Sequence, residues 1–463
     1  MSRTPISVGL FTALGILLMS ICETQAGFKG TAVGLGTTSS IAIDPAGRAH
    51  MSYLDNSNPT NFILKHAFVD ARGRGRIETV DTGDVGFDSS IAVDALGRIH
   101  ISYHADKPSP LLKYALFDGS SWTAEAIDDG GFATSIAVDA NNQPRIAYHG
   151  GLSGTDLRYA TFDGSNWSIE TIPGTGIPFT STSLALTPDG KAHIGFSEAT
   201  LPRKARHATN ATGAWVVEDV VEGIRTSIAL DGMSRPHLVC TDETARELRY
   251  AVLNGSTWTL ESIVADGDYG DIAVDSSGIP QVSFGVFAGG IEHLGHARRD
   301  GGTWSITMFA TKNAGFDTAI ALDSFALPHI STRKSVGEAS LLHYYFRLEP
   351  ELEPAWVDVS VTMPSNQFVV TGRLRVSNTA TGAAKRFTVS YFLSDDALLD
   401  PGDPVLAQAR RLPAIQAGGE ATRRFLFRSG ASPSGKFLIA LIESEGSAEE
   451  VDPDNNLAAV SIP

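Results

Sequence analysis

A block of about 46 residues recurs seven times along this chain, and its clearest copy, residues 90–103, reads Ser-Ile-Ala-Val-Asp-Ala-Leu-Gly-Arg-Ile-His-Ile-Ser-Tyr. Aligned on the aspartate of Ile-Ala-Val-Asp, the copies fall at Asp44, Asp94, Asp139, Thr187, Asp231, Asp275 and Asp323, in steps of 50, 45, 48, 44, 44 and 48 residues. A period of that length means stacked copies of one supersecondary unit, none of which can bury its apolar side alone. Each copy holds four short runs of strand-type alternation between glycine-rich turns. Strand A is Ser-Ile-Ala-Val-Asp and strand B is His-Ile-Ser-Tyr. Strand C is Leu-Lys-Tyr-Ala at 112–115 and Leu-Arg-Tyr-Ala at 157–160 and 248–251. Strand D opens at Trp122, Trp167, Trp215, Trp258 or Trp304. Four strands per copy predict a propeller blade, and seven copies predict an all-β, seven-bladed β-propeller over residues 27–347.

The ends of the repeat carry a further expectation. The last copy has strands A, B and C but no strand D, whereas residues 28–35 form a spare strand before the first copy. Phe28 precedes Asp44 by 16 residues, as Trp215 precedes Asp231. The N-terminal strand is therefore expected to become the outer strand of the last blade, which closes the ring and removes an exposed sheet edge.

Several repeated residues have the chemistry of a site but the distribution of a scaffold. The aspartate opens an Asp-x-x-Gly turn at 44–47, 94–97 and 275–278, where its side chain bonds its own turn backbone. His50, His100, His193, His237 and His329 share one place on strand B. Blade symmetry spreads them too widely for one metal ion, so each is read as a structural hydrogen-bonding group. The strand D tryptophans are read as packing between blades.

Composition sets the remaining bounds. The 463 residues are 42% hydrophobic and 19% charged, with a net charge of −16. That is a globular chain, and its acidity argues against nonspecific binding to nucleic acid or anionic membranes. Residues 1–26 read as a secretory signal peptide, with Arg3, an apolar stretch at 8–21 and small residues at the Ala26 boundary. Ile21 before Cys22 departs from the lipoprotein pattern, so no lipid anchor is expected, and no other segment has the length of a transmembrane span. With that signal removed, Cys240 would stand alone; it takes the place of Tyr53, Tyr103 and Tyr148 and is read as a buried thiol.

Residues 348–354 are acidic and proline-bearing, and are read as a linker. From 355 to 463 the period gives way to five or more strands, at 357–361, 368–376, 386–393, 421–427 and 436–442, the pattern of an immunoglobulin-like β-sandwich. In this tail, Val-Ser-Asn-Thr-Ala at 376–380, Tyr-Phe-Leu-Ser-Asp-Asp at 391–396 and Glu-Val-Asp-Pro-Asp-Asn-Asn at 450–456 resemble the bacterial cell-adhesion-related domain known as CARDB. That resemblance implies a spacer or adhesion module. In the repeat region, Asp-Gly-Ser-Ser-Trp at 118–122, Asp-Gly-Ser-Asn-Trp at 163–167 and Asp-Gly-Gly-Thr-Trp at 300–304 resemble the Asp-box hairpins of BNR propellers. The whole repeat resembles secreted bacterial propellers, which implies a fold rather than an activity. Asp395, Asp396, Asp400 and Asp403 form an acidic loop with the oxygen chemistry of a calcium site; the spacing is not that of an EF-hand, and turn-forming aspartates are the simpler reading.

A ligand site is expected where the copies differ, on the loops of one face. The position two before the strand A serine holds Thr38, Asp88, Ala133, Ser181, Arg225, Tyr269 and Asp317 and is expected to ring the channel mouth. The position after the strand B tyrosine holds Leu54, His104, His149, Ser197, Thr241, Gly285 and Arg333 and is expected to line the same face. Asp88, His104, His149, Arg225, Tyr269, Asp317 and Arg333 are the candidate binding residues. The resulting expectation is a secreted, periplasmic or surface protein, monomeric and without a cofactor, that binds a glycan or protein partner without transforming it. The alternative is a polysaccharide-active enzyme. A sialidase-like hydrolase needs two carboxylates, for which Asp88 and Asp317 are candidates. A lyase needs a proton-abstracting side chain and a cation beside a uronate carboxylate, roles open to His104, His149, Tyr103, Tyr148 and Arg333.

Overall fold

The computed structural model describes residues 23–25, 28–69, 75–175, 179–288, 291–311, 313–336, 339–347, 352–378, 384, 387–400, 403–412, 414–415, 419–444 and 457–462. The expected signal segment, apart from 23–25, lies outside these residues, as do linker residues 348–351 and the motif at 450–456. The described chain is built from antiparallel strands with one short 3-10 helix, Pro364–Asn366. Among the described residues no helix is long and apolar enough to cross a membrane. The chain divides into two compact units. The first contains Gly30–Asp323 and Pro328–Tyr345; the second contains Phe346–Pro463 with Thr24–Lys29 and Ser324–Leu327.

The first unit repeats one four-stranded meander. Thr37–Ile43, Ala49–Asp55, Ile63–Val69 and Gly75–Thr82 pair in chain order, and the same order recurs in the sheets that begin at Phe179, Ile224 and Gly267. The second and third repeats are fused into one seven-stranded sheet. The cause is a single long strand, Trp122–Val138, whose first half pairs with Leu111–Phe117 and whose second half pairs with Pro144–Gly150. In the last sheet, Phe28–Leu35 lies beside Ala339–Arg347, so the N-terminal strand supplies the missing fourth member. Gly30 permits that approach: a Cβ there would sit 2.3 Å from Cε1 of Tyr345.

Successive A strands pack side by side, and Ala314–Leu322 packs against Thr37–Ile43 to complete the circuit. The serine of the repeated block makes the junction. The backbone N–H of Ile91 donates to Ser40 Oγ at 3.2 Å, Ile136 to Ser90 at 3.1 Å, Leu184 to Ser135 at 3.0 Å, Ile228 to Ser183 at 3.1 Å and Ile272 to Ser227 at 3.3 Å. At the next junction Asp271 replaces serine, and its Oδ2 accepts the Ile320 N–H at 2.8 Å. Ala319, at the equivalent place in the last repeat, has no side-chain oxygen to offer. A second hydroxyl contact, Ser39 Oγ to Ser331 Oγ at 2.9 Å, bridges that last junction.

The other repeated residues act within and between meanders as the sequence predicts. Asp44 Oδ1 accepts the N–H groups of Ala46 and Arg48, and Asp94, Asp231 and Asp275 do the same in their own turns. Buried His100 bridges Asp94 at 3.3 Å and the Tyr114 hydroxyl at 2.7 Å; His237 joins Asp231 to Tyr250, and His329 joins Asp323 to Tyr344. Burial holds the His100 and His237 imidazoles below the usual histidine range, which keeps them neutral partners for these bonds. Four of the five strand D tryptophans lock neighbouring outer strands together: indole Nε1 of Trp122 donates to Glu78, Trp167 to Glu125, Trp258 to Glu218 and Trp304 to Glu261, whereas Trp215 packs edge-on against Tyr159 without such a bond.

In the second unit, Leu352–Thr362, Phe368–Asn378 and Glu420–Ser429 form one antiparallel sheet. Val405–Leu412, Phe387–Ser394, Phe437–Ser444 and Leu457–Ser461 form another. One core draws on both sheets, with Leu352, Leu374 and Phe425 from the first and Phe387, Leu412 and Leu438 from the second. The first strand begins at Leu352, inside the expected linker, because Leu352 is a buried member of that core.

Two outcomes test the junction. Ser135→Ala leaves the Leu184 N–H without its acceptor and should lower stability by about 1–3 kcal/mol in chemical denaturation. Ala319→Ser supplies the absent acceptor and should raise stability by roughly 0.5–1.5 kcal/mol. A serine series without effect on unfolding would remove the junction from the account.

Candidate functional site

The site grows from an irregularity at the start of strand A. Every A strand slips register there against its B strand, the mark of a β-bulge. Thr38, Asp88, Ala133, Arg225, Tyr269 and Asp317 sit at the bulge with φ between 43° and 52°. Left-handed backbone costs a residue with a side chain about 1–3 kcal/mol. Six copies tolerate it because the bulge turns that side chain out of the ladder toward the end of the circuit. Below it lies a cavity of about 370 Å³, walled by the serine and threonine hydroxyls of the A strands and edged by Arg225, Tyr269 and Asp317.

Repeats five to seven turn this rim into a polar and aromatic cluster. Arg225 pairs with Asp268 at 3.0 Å and lies 4.5 Å from the Tyr269 ring centre. Arg333 repeats the arrangement one repeat on, 3.3 Å from Asp317 and 4.6 Å from the Phe316 ring centre. Tyr269 and Phe316 meet edge to face at 6.2 Å, which joins the two pairs. Asp268 is held in place by the Thr241 hydroxyl at 2.8 Å and the Tyr269 N–H at 2.8 Å. Burial pushes the Asp317 carboxyl above its usual range against the pull of Arg333 and Arg225, with Asp88 and Asp268 adding to the rise. Burial likewise raises the Tyr269 phenol and the Asp271 carboxyl deeper in the channel.

The same sector departs from the repeat in a second way. Strand B has 7 residues in each of the first five copies and 9 in the sixth and seventh, Pro280–Ala288 and Pro328–Val336. The extra residues extend the B–C hairpin at the end where the bulges lie. The sixth hairpin carries Glu292, which is only 5% exposed. Gly285 and Gly315 make its space: a Cβ on Gly285 would lie 2.4 Å from the Gly315 carbonyl and 2.6 Å from Glu292 Oε1. Burial, with Asp268 beside it, pushes the Glu292 carboxyl up to about 7, while Arg333 pulls the other way. A carboxyl poised there exchanges a proton readily near neutral pH.

The candidate residues thus fall into two groups. Arg225, Tyr269, Asp317 and Arg333 are brought together. Asp88 is on the rim across the first repeat, where it accepts the Ala133 N–H at 2.9 Å. The expectation that His104, His149, Tyr103 and Tyr148 reach that face requires correction, because all four are buried. His104 is covered by Phe132 of the next repeat, stacked at 4.3 Å, and bonds the Gly130 carbonyl at 2.7 Å. Tyr103 and Tyr148 donate to Asp81 at 2.6 Å and Asp128 at 2.5 Å, and burial raises both phenols further from ionisation. With their polar atoms engaged in this way, His104, Tyr103 and Tyr148 act as packing groups, and His149 is buried at the equivalent place one repeat on. Asp268, Glu292 and Phe316 were not anticipated; the length of the sixth B–C hairpin is the signal that could have drawn attention to Glu292.

The acidic loop of the second unit behaves as turn chemistry. Asp396 accepts the Leu398 N–H at 2.8 Å, Asp403 accepts the Asp400 N–H at 2.9 Å, and Asp395 pairs with Lys436 at 2.6 Å. Among the described residues, no group of three or more histidine, cysteine, aspartate or glutamate side chains is placed to hold a metal ion.

Glu292 makes stability depend on pH with a definite sign. Its folded value lies above the ordinary 4.5, so between 4.5 and about 7 the folded state holds the extra proton. The Glu292 contribution to stability therefore falls as pH rises through that window and levels off above it. Thermal unfolding should show Glu292→Gln gaining on the parent between pH 5 and pH 8; a constant difference in Tm would contradict the assignment.

No family model and no curated protein matches the sequence. Solved structures do match in fold. A structure described as a new family of polysaccharide lyase, PL25-Ulvanlyase, has a TM-score of 0.50 at 15% identity, covering 69% of this chain and 95% of its own. YCF48 bound to D1 peptide gives 0.47 at 15% identity over 70% of this chain and 97% of its own. The SapL1 lectin in complex with alpha methyl fucoside gives 0.42 at 12% identity over 60% and 97%. At such identities the likeness is one of fold, and the chain is an all-β protein of many small antiparallel sheets with propeller-like neighbours.

Proposed function

We propose that this chain is a secreted or cell-surface binding protein whose first unit is a seven-bladed, BNR-like propeller and whose second is an immunoglobulin-like, CARDB-like spacer. Its propeller mouth binds a glycan without transforming it. The closed circuit of A strands and the N-terminal strand in the last sheet support the blade count. The two sheets that share one core support the sandwich.

The observation that carries the binding reading is the Arg225–Asp268–Tyr269–Phe316–Asp317–Arg333 cluster at the edge of a concave cavity. Aromatic rings beside paired charged hydrogen-bonding groups are the chemistry that holds a saccharide, with its apolar ring faces and dense hydroxyls. The cluster is confined to three repeats, so it recognises one feature rather than a repeated one. A protein partner would engage the same rim less selectively.

One observation favours a second reading, the polysaccharide-active enzyme. The Glu292 carboxyl near 7 is suited to moving a proton, with Asp317 as a second carboxyl and Arg333 as the cation. Purified protein should be incubated with a panel of neutral and charged polysaccharides, with retention and chain length both followed. The binding reading expects retention of at least one polymer at unchanged length. Tyr269→Ala with Arg225→Ala should weaken it roughly tenfold, about 1.4 kcal/mol. Shortened products that disappear with Glu292→Gln would establish the enzyme instead.

A further inference from the structure

The charges at the mouth do not balance among themselves. Arg225 is matched by Asp268 and Arg333 by Asp317, one cation to one anion. Asp88 is exposed and already accepts a backbone N–H. Glu292 remains over: buried, and with no hydrogen bond or ion pair among the described residues, yet within the electrostatic reach of Asp268 and Arg333. Arg333 is the cation nearest in effect, but it is held by Asp317 and by the face of Phe316. A buried carboxylate without a partner is costly, and a positive group brought by a ligand removes that cost.

We propose that the mouth over repeats five to seven takes a saccharide bearing a protonated amino group, with Glu292 as the counter-ion of that group. The proposal rests on the glycan-binding reading above and narrows it to one ligand class. Three further observations agree. A uronate or sulfated sugar would set its negative charge against Asp88, Asp268, Asp317 and Glu292. A metal ion lacks the convergent oxygens it needs among the described residues. The chain carries a net charge of −16, which raises the local concentration of a cationic ligand and repels an anionic one. The raised Asp317 and Glu292 carboxyls express the same surplus of acid over base. Tyr269 and Phe316 supply ring surface for the sugar.

The test is calorimetric titration of the full chain at pH 7 with a glucosamine tetramer, its N-acetylated counterpart and a uronic acid tetramer. The glucosamine tetramer should bind at least tenfold more tightly than the N-acetylated one, and the uronic acid tetramer should not bind. Glu292→Gln breaks no hydrogen bond, should fold, and should bring the first two affinities together; Glu292→Ala should do the same. Equal affinities in the parent protein, or a preference that survives both substitutions, would overturn the proposal. Retention of a neutral polysaccharide without preference for the amine overturns this inference and leaves the glycan reading standing. Failure of every saccharide, these three and the wider panel alike, overturns the glycan reading and the inference with it.

Discussion

A side-chain hydroxyl accepting a backbone N–H from the next repeat is the interaction on which the rest of this fold depends. Strand A meets the A strand of the next repeat, so its polar backbone needs a partner from that neighbour. The Ser-Ile-Ala-Val-Asp block answers that need: serine is small and carries the oxygen that satisfies the N–H 45 to 51 residues later. Tryptophan and glutamate make the corresponding join at the outer strands. Among the described residues the inner edge is thus tied at every junction and the outer edge at four of them, and the loops between can vary without loosening the circuit.

That division explains where a site can form. The bulge that begins each A strand is kept with a left-handed residue in six copies, although the residue itself changes from Thr38 to Tyr269. The scaffold fixes the backbone and leaves the side chain open to specialise. In repeats five to seven those side chains are Arg225, Tyr269 and Asp317, with Arg333 on the seventh strand B and Glu292 at the start of the sixth strand C. Elsewhere the same positions hold threonine, aspartate, alanine or serine, and no comparable cluster arises from them among the described residues.

The repeat period, the fourth strand donated by residues 28–35 and the turn role of Asp44 or Asp94 were legible because each is a pattern within one copy or a simple count of strands. The rim was legible for the same reason: one alignment column lists it. What escaped depended on contacts between copies. His104 reads as a variable loop residue until Phe132 of the following repeat covers it. The serine junction is invisible because its partner is a backbone group common to every residue. Glu292 escaped because it lies two residues before the strand C leucine, outside the two columns in which variation was sought.

The central claim, that ligand binding is confined to the mouth over repeats five to seven, is tested most directly by a crystal structure of the protein with a bound glucosamine tetramer. The account predicts a sugar ring against Tyr269 or Phe316, with its amino group within hydrogen-bonding distance of the Glu292 carboxylate. Saccharide seated on the opposite turns around Asp44 and Asp94, or on the second unit, with the mouth empty, would contradict it.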